Sequence, residues 1–353
     1  MQIKIGDRLI GDGASLYFIA DIAANHDGDL ARAFRLIELA KNAGADAAKF
    51  QNFQAARIVS RTGFEKLGNK LSHQASWEKT IYQVYEDASI DFSWTEKLKR
   101  HCDDVGIEYL TSPYDFESVD HVDPFVNAYK IGSGDITWYE ILEYIARKGK
   151  PVLLATGAST LGEVDGAMAV LRKVTDRIVL MQCNTNYTGS LENFSHLNLK
   201  VLQLYANRFT DTLLGLSDHT PSHAAVLGAV ALGACVFEKH FTDDRHRKGP
   251  DHKFSMMPAD WAEMVDRARE VQAALGDGIK KIESNERETS IVQKRALRYS
   301  GDFSKGAILT RESFFPLRPM PKGALPPFEL DQFIGRKLLR NVKDQECVAK
   351  GDV

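Results

Sequence analysis

Residues 17–51, YFIADIAANHDGDLARAFRLIELAKNAGADAAKFQ, contain the unit from which the rest of the fold follows. Tyr17–Ile22 is a short, almost continuously apolar run that reads as a strand. Leu30–Asn42 places apolar residues at i, i+3, i+4 and i+7 and stops at Gly44, the pattern of an amphipathic helix with a glycine stop. Asp46–Gln51 is a second apolar run. Strands that are apolar on both faces and joined by a helix belong to a parallel sheet covered on both sides. Outward from this unit the alternation recurs, with strands expected at Ile107–Thr111, Ala128–Gly132, Pro151–Thr156, Arg177–Cys183, Leu213–Leu216 and Cys235–Lys239. Helical spacing recurs over Leu161–Lys173, Ser222–Leu232 and Trp261–Leu275. About eight such units predict an α/β fold of the TIM (β/α)8 barrel type.

The pattern ends after Gly276–Asp277–Gly278. The expected organisation is a barrel over 1–278, a polar linker over 279–293 and a small β-rich domain over 294–353, where short apolar pieces alternate with Gly and Pro. The stretch from Asn52 to Asp91 exceeds an ordinary βα connection; it holds Gly63, Gly68, Asn69 and His73 and an expected aromatic helix around Trp77–Tyr85. A formal charge of −3 over 353 residues argues against nucleic acid as the main partner. The longest apolar run, Ala224–Phe237, is too short to span a bilayer and carries Gly228 and Gly233, so no membrane partner is expected. Cys102, Cys183, Cys235 and Cys347 are scattered without a CxxC pair, which suits reduced thiols in a cytoplasmic protein.

Barrel active sites are built where the strands end. Here the strand ends carry Asp21; Lys49 and Gln51; Ser112; Lys130 and Ser133; Thr156; Asn184, Thr185 and Tyr187; Ser217, Asp218 and His219; Glu238 and His240. Lys49 and Lys130, with Ser112, Ser133 and Ser217 near by, make a pocket for a phosphate or carboxylate. A Schiff-base aldolase also uses a barrel lysine, so both readings stand on the residues alone. His219 and His240 close the last two strands and can share a divalent metal; Glu238 and water would complete an open site for manganese, magnesium, cobalt or zinc. His26 in NHDGD is a weaker candidate, because Asn25, Asp27 or Asp29 there can cap the next helix.

These residues sit in motifs that resemble the N-acetylneuraminate (sialic acid) synthase family over nearly the whole chain. The motifs are FIADIAANHDGD (18–29), GADAAKFQNF (44–53), LTSPYDFESVD (110–120), YKIGSGD (129–135), PVLLATG (151–157), GLSDHT (215–220) and EKHFTDDRHRKGPDHKFSM (238–256). A C-terminal segment with LRP (317–319), KG (322–323) and IGRKL (334–338) completes them. The resemblance implies a barrel fused to a small antifreeze-like domain, in a domain-swapped homodimer. It implies condensation of phosphoenolpyruvate with an open-chain N-acetylated aminosugar to give a nine-carbon 2-keto acid and phosphate. Manganese is the expected metal, with magnesium or cobalt as alternatives. Lys49, Ser112, Lys130, Ser133 and Ser217 would hold the donor. His219 and His240 would bind the metal beside Glu238. Gln51, Tyr187 and Asp251 would meet the sugar, with Tyr114, Asp135, Thr156 and Thr185 completing the lining. Arg318, from the small domain of the other subunit, would reach the acetamido group.

Asp21 falls where the family usually has its catalytic glutamate, and Asp135 replaces the glutamate of the usual GSGE. Each is shorter by one methylene, about 1.5 Å. Ala155 stands where many members carry a phosphate-binding serine, and Arg318-Pro319-Met320-Pro321-Lys322-Gly323 departs from RPGxG. These departures leave the acceptor open among N-acetylmannosamine and the sugars of legionaminate, pseudaminate and spore-coat relatives. A 3-deoxy-heptulosonate or octulosonate phosphate synthase is a rival, with Arg245, Arg247 and Lys248 available for a second phosphate. A non-catalytic sugar-binding barrel is another.

Overall fold

The computed structural model describes residues 1–67, 74 and 77–353. Gly68, Asn69 and His73 lie outside the described residues. The chain forms two compact units, Met1–Gly276 and Asp277–Val353.

The larger unit opens with an antiparallel hairpin, β1 (Gln2–Ile5) and β2 (Arg8–Gly11). Eight parallel strands follow: β3 (Tyr17–Asp21), β4 (Ala47–Asn52), β5 (Glu108–Pro113), β6 (Tyr129–Ile131), β7 (Val152–Ala155), β8 (Ile178–Cys183), β9 (Leu213–Asp218) and β10 (Val236–His240). Their order is β5-β4-β3-β10-β9-β8-β7-β6, and the edge strands β5 and β6 lie against each other, so the sheet curls into a nearly closed barrel. Each strand lies within two residues of its expected position.

The first crossover shows why the local sequence folds this way. Asp29 caps helix Leu30–Asn42 by accepting from the Ala31 N–H at 2.9 Å, so Asp29 is the capping residue of NHDGD. The helix buries Ala33, Leu36, Ile37 and Ala40 on the sheet. Gly44, at φ +89°, then turns the chain in a left-handed conformation that a side chain would strain.

Strand parity sorts the barrel into two cores. Phe18, Ala48, Tyr109, Tyr129, Leu154, Leu180, Leu216 and Phe237 point outward into the layer between sheet and helices. Tyr17, Ile19, Ala47, Leu110, Ala128, Leu153, Val179, Met181, Leu213 and Val236 point inward, and Ile3, Ile5 and Ile10 of the hairpin pack on them from the N-terminal end of the barrel. The hairpin was not foreseen from the sequence. Each strand has only four residues, and only β1 alternates exposed and buried positions.

The 52–91 insertion folds on its own small core of Ala55, Val59 and Ile81, with Ile58, Phe64, Trp77, Tyr82 and Tyr85 packed against it. Its main helix is Ile81–Ala88 rather than Trp77–Tyr85. Thr80 and Gln83 form a reciprocal capping box that sets the start.

In the smaller unit, residues 279–293 are not plain linker: they carry a 3-10 turn at Ser284–Glu286 and helix Arg287–Val292. Strands β11 (Ala296–Tyr299) and β12 (Phe314–Leu317) pair antiparallel over a core that includes Leu297, Tyr299, Leu309, Phe333, Leu338 and Val348. Buried Asp352 accepts from the Tyr299 hydroxyl at 3.1 Å and from Arg340 at 2.6 Å, tying down the chain end.

Candidate active site

Continuing the inward parity toward the C-terminal ends replaces apolar side chains with Asp21, Lys49, Ser112, Lys130, Ser217, Glu238 and His240. Asp21 and Lys49 face each other in the β3–β4 register, and Lys49 Nζ lies 2.6 Å from Asp21 Oδ2. Lys130 Nζ donates to Glu238 Oε1 at 2.8 Å, and Lys49 Nζ is 3.9 Å from the same oxygen. All four side chains are buried, and two ammonium groups balance two carboxylates, the condition under which charge survives inside a protein.

The carboxylates differ. Burial raises the Asp21 carboxyl, and Lys49 offsets this only in part. Burial also acts to raise Glu238, but Lys130 and Lys49 together outweigh it and its pKa falls. Burial opposes the Lys49 ammonium, yet Asp21 and Glu238 hold its proton more firmly than usual. Asp21 is therefore the more basic carboxylate of the pair. Its Oδ1 accepts from the Ala23 N–H at 3.1 Å, and its Oδ2 accepts from Gln51 Nε2 at 3.3 Å.

The rings of His219 and His240 lie 5.4 Å apart, centroid to centroid. His219 Nδ1 sits 3.0 Å from the Asn184 carbonyl oxygen, which makes Nδ1 a donor. Burial opposes the charged ring, but Cys183 and the Asn184 carbonyl outweigh it and raise its pKa, so Nε2 offers a lone pair only in the neutral form. His240 Nδ1 is buried and makes no hydrogen bond, and Nε2 is 3.6 Å from Asp21 Oδ2. Burial first, and then His219 and Lys49, push the His240 pKa well below its ordinary value, so this imidazole is neutral. Two such rings could hold one divalent cation. The expectation of Glu238 as a third ligand does not hold in this geometry: Oε1 is taken by the lysines and by the Ser217 hydroxyl, at 3.3 Å, while Oε2 is buried without a hydrogen-bond partner. Among the described residues, no group of three or more His, Cys, Asp or Glu side chains is placed to hold a metal ion. Only an open, two-histidine site is consistent with this donor set.

Behind His219, buried Lys239 is paired with Asp218 and donates to the Thr220 carbonyl at 2.6 Å. This outward-facing pair pins the loop that carries His219. Asn25 Nδ2 bonds the Phe241 carbonyl and Ser255 Oγ, each at 2.9 Å, stitching the loop after β3 to the loop after β10. His26 takes no part in the site: it is buried beside Trp94 and its Nδ1 accepts from the Gly28 N–H at 3.0 Å.

A cavity of about 400 Å³ borders His240 and is lined by Gln51, Tyr114, Ser133, Asp135, Thr185, Tyr187 and Asp251 among others. The Tyr187 ring stands edge-on to His219 at 4.5 Å. Asp251 Oδ2 accepts from the Ala24 N–H at 3.1 Å. Burial pushes the carboxyls of Asp135 and Asp251 up to about 6. For Asp135 the folded value lies above the roughly 3.9 of an unfolded chain. Its ionised form therefore costs stability above about pH 6, and the cost vanishes below about pH 4. Asp135→Asn is expected to stabilise the protein by about 1–2 kcal/mol at pH 7.5, discounted for its partly exposed edge, and to change nothing at pH 4. Urea midpoints at the two pH values read this directly, and equal shifts at both contradict the burial argument.

The hydroxyls fall into two groups. Ser112 Oγ is fully buried with no hydrogen-bond partner, and Ser133 Oγ accepts from the Gly157 N–H at 2.9 Å, leaving its own proton to donate. Thr156 corrects its assignment as a substrate residue: its hydroxyl donates to the Met181 carbonyl and accepts from Tyr205, both at 3.0 Å, so it faces the packing layer. Ala155 takes the inward position on β7 beside it. Arg318 is exposed in the smaller unit, directly after β12.

The sequence reading passed over two residues. Cys183 follows Met181 in the inward parity and lies 3.9 Å from His219 Nδ1. Gly157 occupies a cradle in which a Cβ would stand 1.8 Å from Thr185 Oγ1 and 2.9 Å from Cys183 Sγ. Parity counting from Val179 was the available signal for the cysteine; for the glycine there was none.

A model of the NeuB family matches residues 36–280. The chain is 35% identical over 334 residues to the N,N'-diacetyllegionaminic acid synthase of Campylobacter jejuni, covering 94% of this chain and 98% of that protein. It is 30% identical to the N-acetylneuraminate-9-phosphate synthase of Homo sapiens, over 97% of this chain and 93% of that one. A crystal structure of N-acetylneuraminic acid synthetase from Leptospira borgpetersenii, in complex with citrate, matches with a TM-score of 0.72 at 27% identity, over 82% of this chain and 95% of that chain. The chain therefore belongs to the NeuB family.

Proposed function

We propose that this chain condenses phosphoenolpyruvate with the open-chain aldehyde of an acetamido sugar, releasing phosphate and a nonulosonic acid. One observation carries the reading. Lys49 and Lys130, two buried cations, pair with Asp21 and Glu238, and the His240 imidazole stands 3.6 Å from Asp21 with His219 beside it. The names of the NeuB relatives support an acetamido hexose as acceptor.

In this reading the lysines meet the donor's phosphate and carboxylate, which compete with Asp21 and Glu238 for the ammonium groups. Ser112 and Ser133 donate to the same oxygens. The enol carbon of the donor attacks the aldehyde carbon, forming the C–C bond; the carbonyl π electrons pass to the aldehyde oxygen, which takes a proton from solvent, and positive charge is left on the carbon that bears phosphate. Water adds there and gives up its proton to Asp21, the more basic carboxylate. The hemiketal phosphate collapses to the ketone as its hydroxyl proton passes to the departing phosphate and the C–O bond to phosphate breaks, with the lysines stabilising the leaving anion. A divalent cation on His219 and His240 supplies Lewis-acid polarisation and orientation of the aldehyde oxygen when bound.

The test is phosphate release from phosphoenolpyruvate with manganese and a panel of acetamido sugars. Release that depends on both sugar and metal is expected. His219→Gln and His240→Gln should each lower kcat/KM at least about a hundredfold, since Lewis-acid assistance is worth several kcal/mol. Full metal-dependent activity in both variants removes the histidine assignment. Borohydride with donor or acceptor should leave Lys49 and Lys130 unmodified; a trapped adduct turns the reading toward a Schiff-base aldolase.

A further inference from the structure

The loop between β3 and helix Leu30–Asn42 is held in a conformation its residues resist. Ala23 at φ +45° and Asp27 at φ +52° both adopt the left-handed region, which strains a residue with a side chain. Such strain persists only where the surroundings over-determine it. Its product is a pair of neighbouring N–H groups aimed at two carboxylates: Ala23 donates to Asp21 Oδ1 and Ala24 to Asp251 Oδ2, each at 3.1 Å. One side-chain link ties this loop to the segment that carries Asp251. His252, the next residue, is fully buried, and its Nε2 lies 2.8 Å from Asp27 Oδ1. A carboxylate only accepts, so Nε2 is the donor. His252 Nδ1 meets the Thr242 hydroxyl at 2.7 Å, which anchors the ring to the chain just beyond β10. Gly249 makes room for the ring, since a Cβ there would stand 2.6 Å from His252 Cδ2.

We infer that His252 is a positioning residue: its bond to Asp27 locks the strained loop, and the locked loop holds the Asp251 carboxylate at the cavity through the Ala24 N–H. The effect on turnover rests on the condensation reading, in which Asp251 meets the sugar; the locking of the loop does not. His252 is not among the residues that line the cavity, so it acts through Asp251 and not on a ligand. The circuit is short. It runs from Asp27 to His252, across one peptide to Asp251, and back through Ala24 to Asp27. With its one imidazole link broken, Ala23 and Asp27 relax out of the left-handed region and the Ala24 N–H turns from Asp251. Arg247 and Arg32 also approach Asp27, on its other oxygen, at 2.8 and 3.1 Å. Arg247 is half-exposed and screened by water, and Arg32 is committed to Asp243 at 2.6 Å. Only His252 is joined directly to Asp251.

The experiment uses the full chain and three variants, His252→Leu, Asp27→Gly and Asp27→Asn. Hydrogen exchange at the Ala24 amide reads the lock. Phosphate release, with manganese, phosphoenolpyruvate and either N-acetylmannosamine or a 2,4-diacetamido-2,4,6-trideoxyhexose, reads turnover. His252→Leu is expected to speed exchange at Ala24 at least about tenfold while exchange across β8 stays parental. It should lower kcat/KM for the sugar about a hundredfold, the scale of a displacement near 1 Å, and leave the Kd for phosphoenolpyruvate within about threefold. Asp27→Gly breaks the same link, and glycine accepts φ +52° without strain, so this variant keeps the test open if His252→Leu does not fold. Asp27→Asn keeps an oxygen for His252 and tolerates the left-handed φ; it should return to within about tenfold of the parent in kcat/KM. Parental exchange at Ala24 in His252→Leu, or in Asp27→Gly where the first variant does not fold, overturns the inference. Asp27→Asn as impaired as Asp27→Gly overturns it too, because the arginines then hold the loop. An equal loss of affinity for phosphoenolpyruvate, or faster exchange with parental kcat/KM in an active enzyme, does the same. If exchange responds as expected while the parent chain turns over neither sugar, the condensation reading fails and the lock stands.

Discussion

Replacing Lys49 by methionine is expected to abolish turnover and to destabilise the fold by about 3–5 kcal/mol. Lys49 is buried against Asp21 at 2.6 Å and lies 3.9 Å from Glu238. Methionine fills the space but leaves Asp21 buried with only the weaker influence of Lys130, and a poorly compensated buried charge is expensive. Adding Asp21→Asn removes that charge. The double variant should recover most of the lost stability and none of the activity. Denaturant unfolding and phosphate release, read side by side, separate the two effects. Should Lys49→Met alone be as stable as the parent protein, the balanced quartet is not what the burial implies. Recovery of turnover in the double variant would falsify the assignment of Lys49 to the donor.

Gly157→Ala should lower kcat/KM by about a hundredfold or more, the scale on which a displacement near 1 Å is felt at a reacting centre. The added methyl would meet Thr185 Oγ1 at 1.8 Å, Cys183 Sγ at 2.9 Å and Ser133 Oγ at 3.0 Å. No single rotamer change relieves three contacts of different origin, so the loop after β7 must move. That breaks the Gly157 N–H bond to Ser133, the hydroxyl expected to hold the donor. Stability should fall by about 1–3 kcal/mol, as in other overpacked sites. Thr185→Ala in the same chain removes the closest contact and should return part of both losses. A single Gly157→Ala variant with parental kinetics rules out a tight cradle.

Much of this architecture could be read beforehand because parallel strands announce themselves. Leu180, Leu216 and Phe237 face one core and Val179, Leu213 and Val236 the other, so each strand is an unbroken apolar run. The N-terminal hairpin lacked that signature, since Lys4 and Arg8 interrupt it and only Ile3, Ile5 and Ile10 go inside. Spacing placed Glu238 and His240 on one face of β10 correctly. Spacing could not reveal which neighbour each would meet, and Glu238 went to Lys130 across the barrel. Thr156 shows the same limit: a strand-end hydroxyl can turn into the packing layer when a carbonyl and Tyr205 wait there. The insertion read as a long loop with one aromatic helix, and that helix was placed four residues early because the Thr80–Gln83 capping box, not the aromatic spacing, sets its start.

The N-terminal hairpin governs traffic as well as stability. With Ile3, Ile5 and Ile10 stoppering one end, the barrel is a cul-de-sac, and whatever reaches its lysines must pass the mouth where Tyr187 and Asp251 stand. In such a blind shaft the deeper guest boards first and the shallower one shuts it in. If the chain runs the proposed condensation, steady-state kinetics should follow a compulsory order, with the three-carbon anion ahead of the sugar.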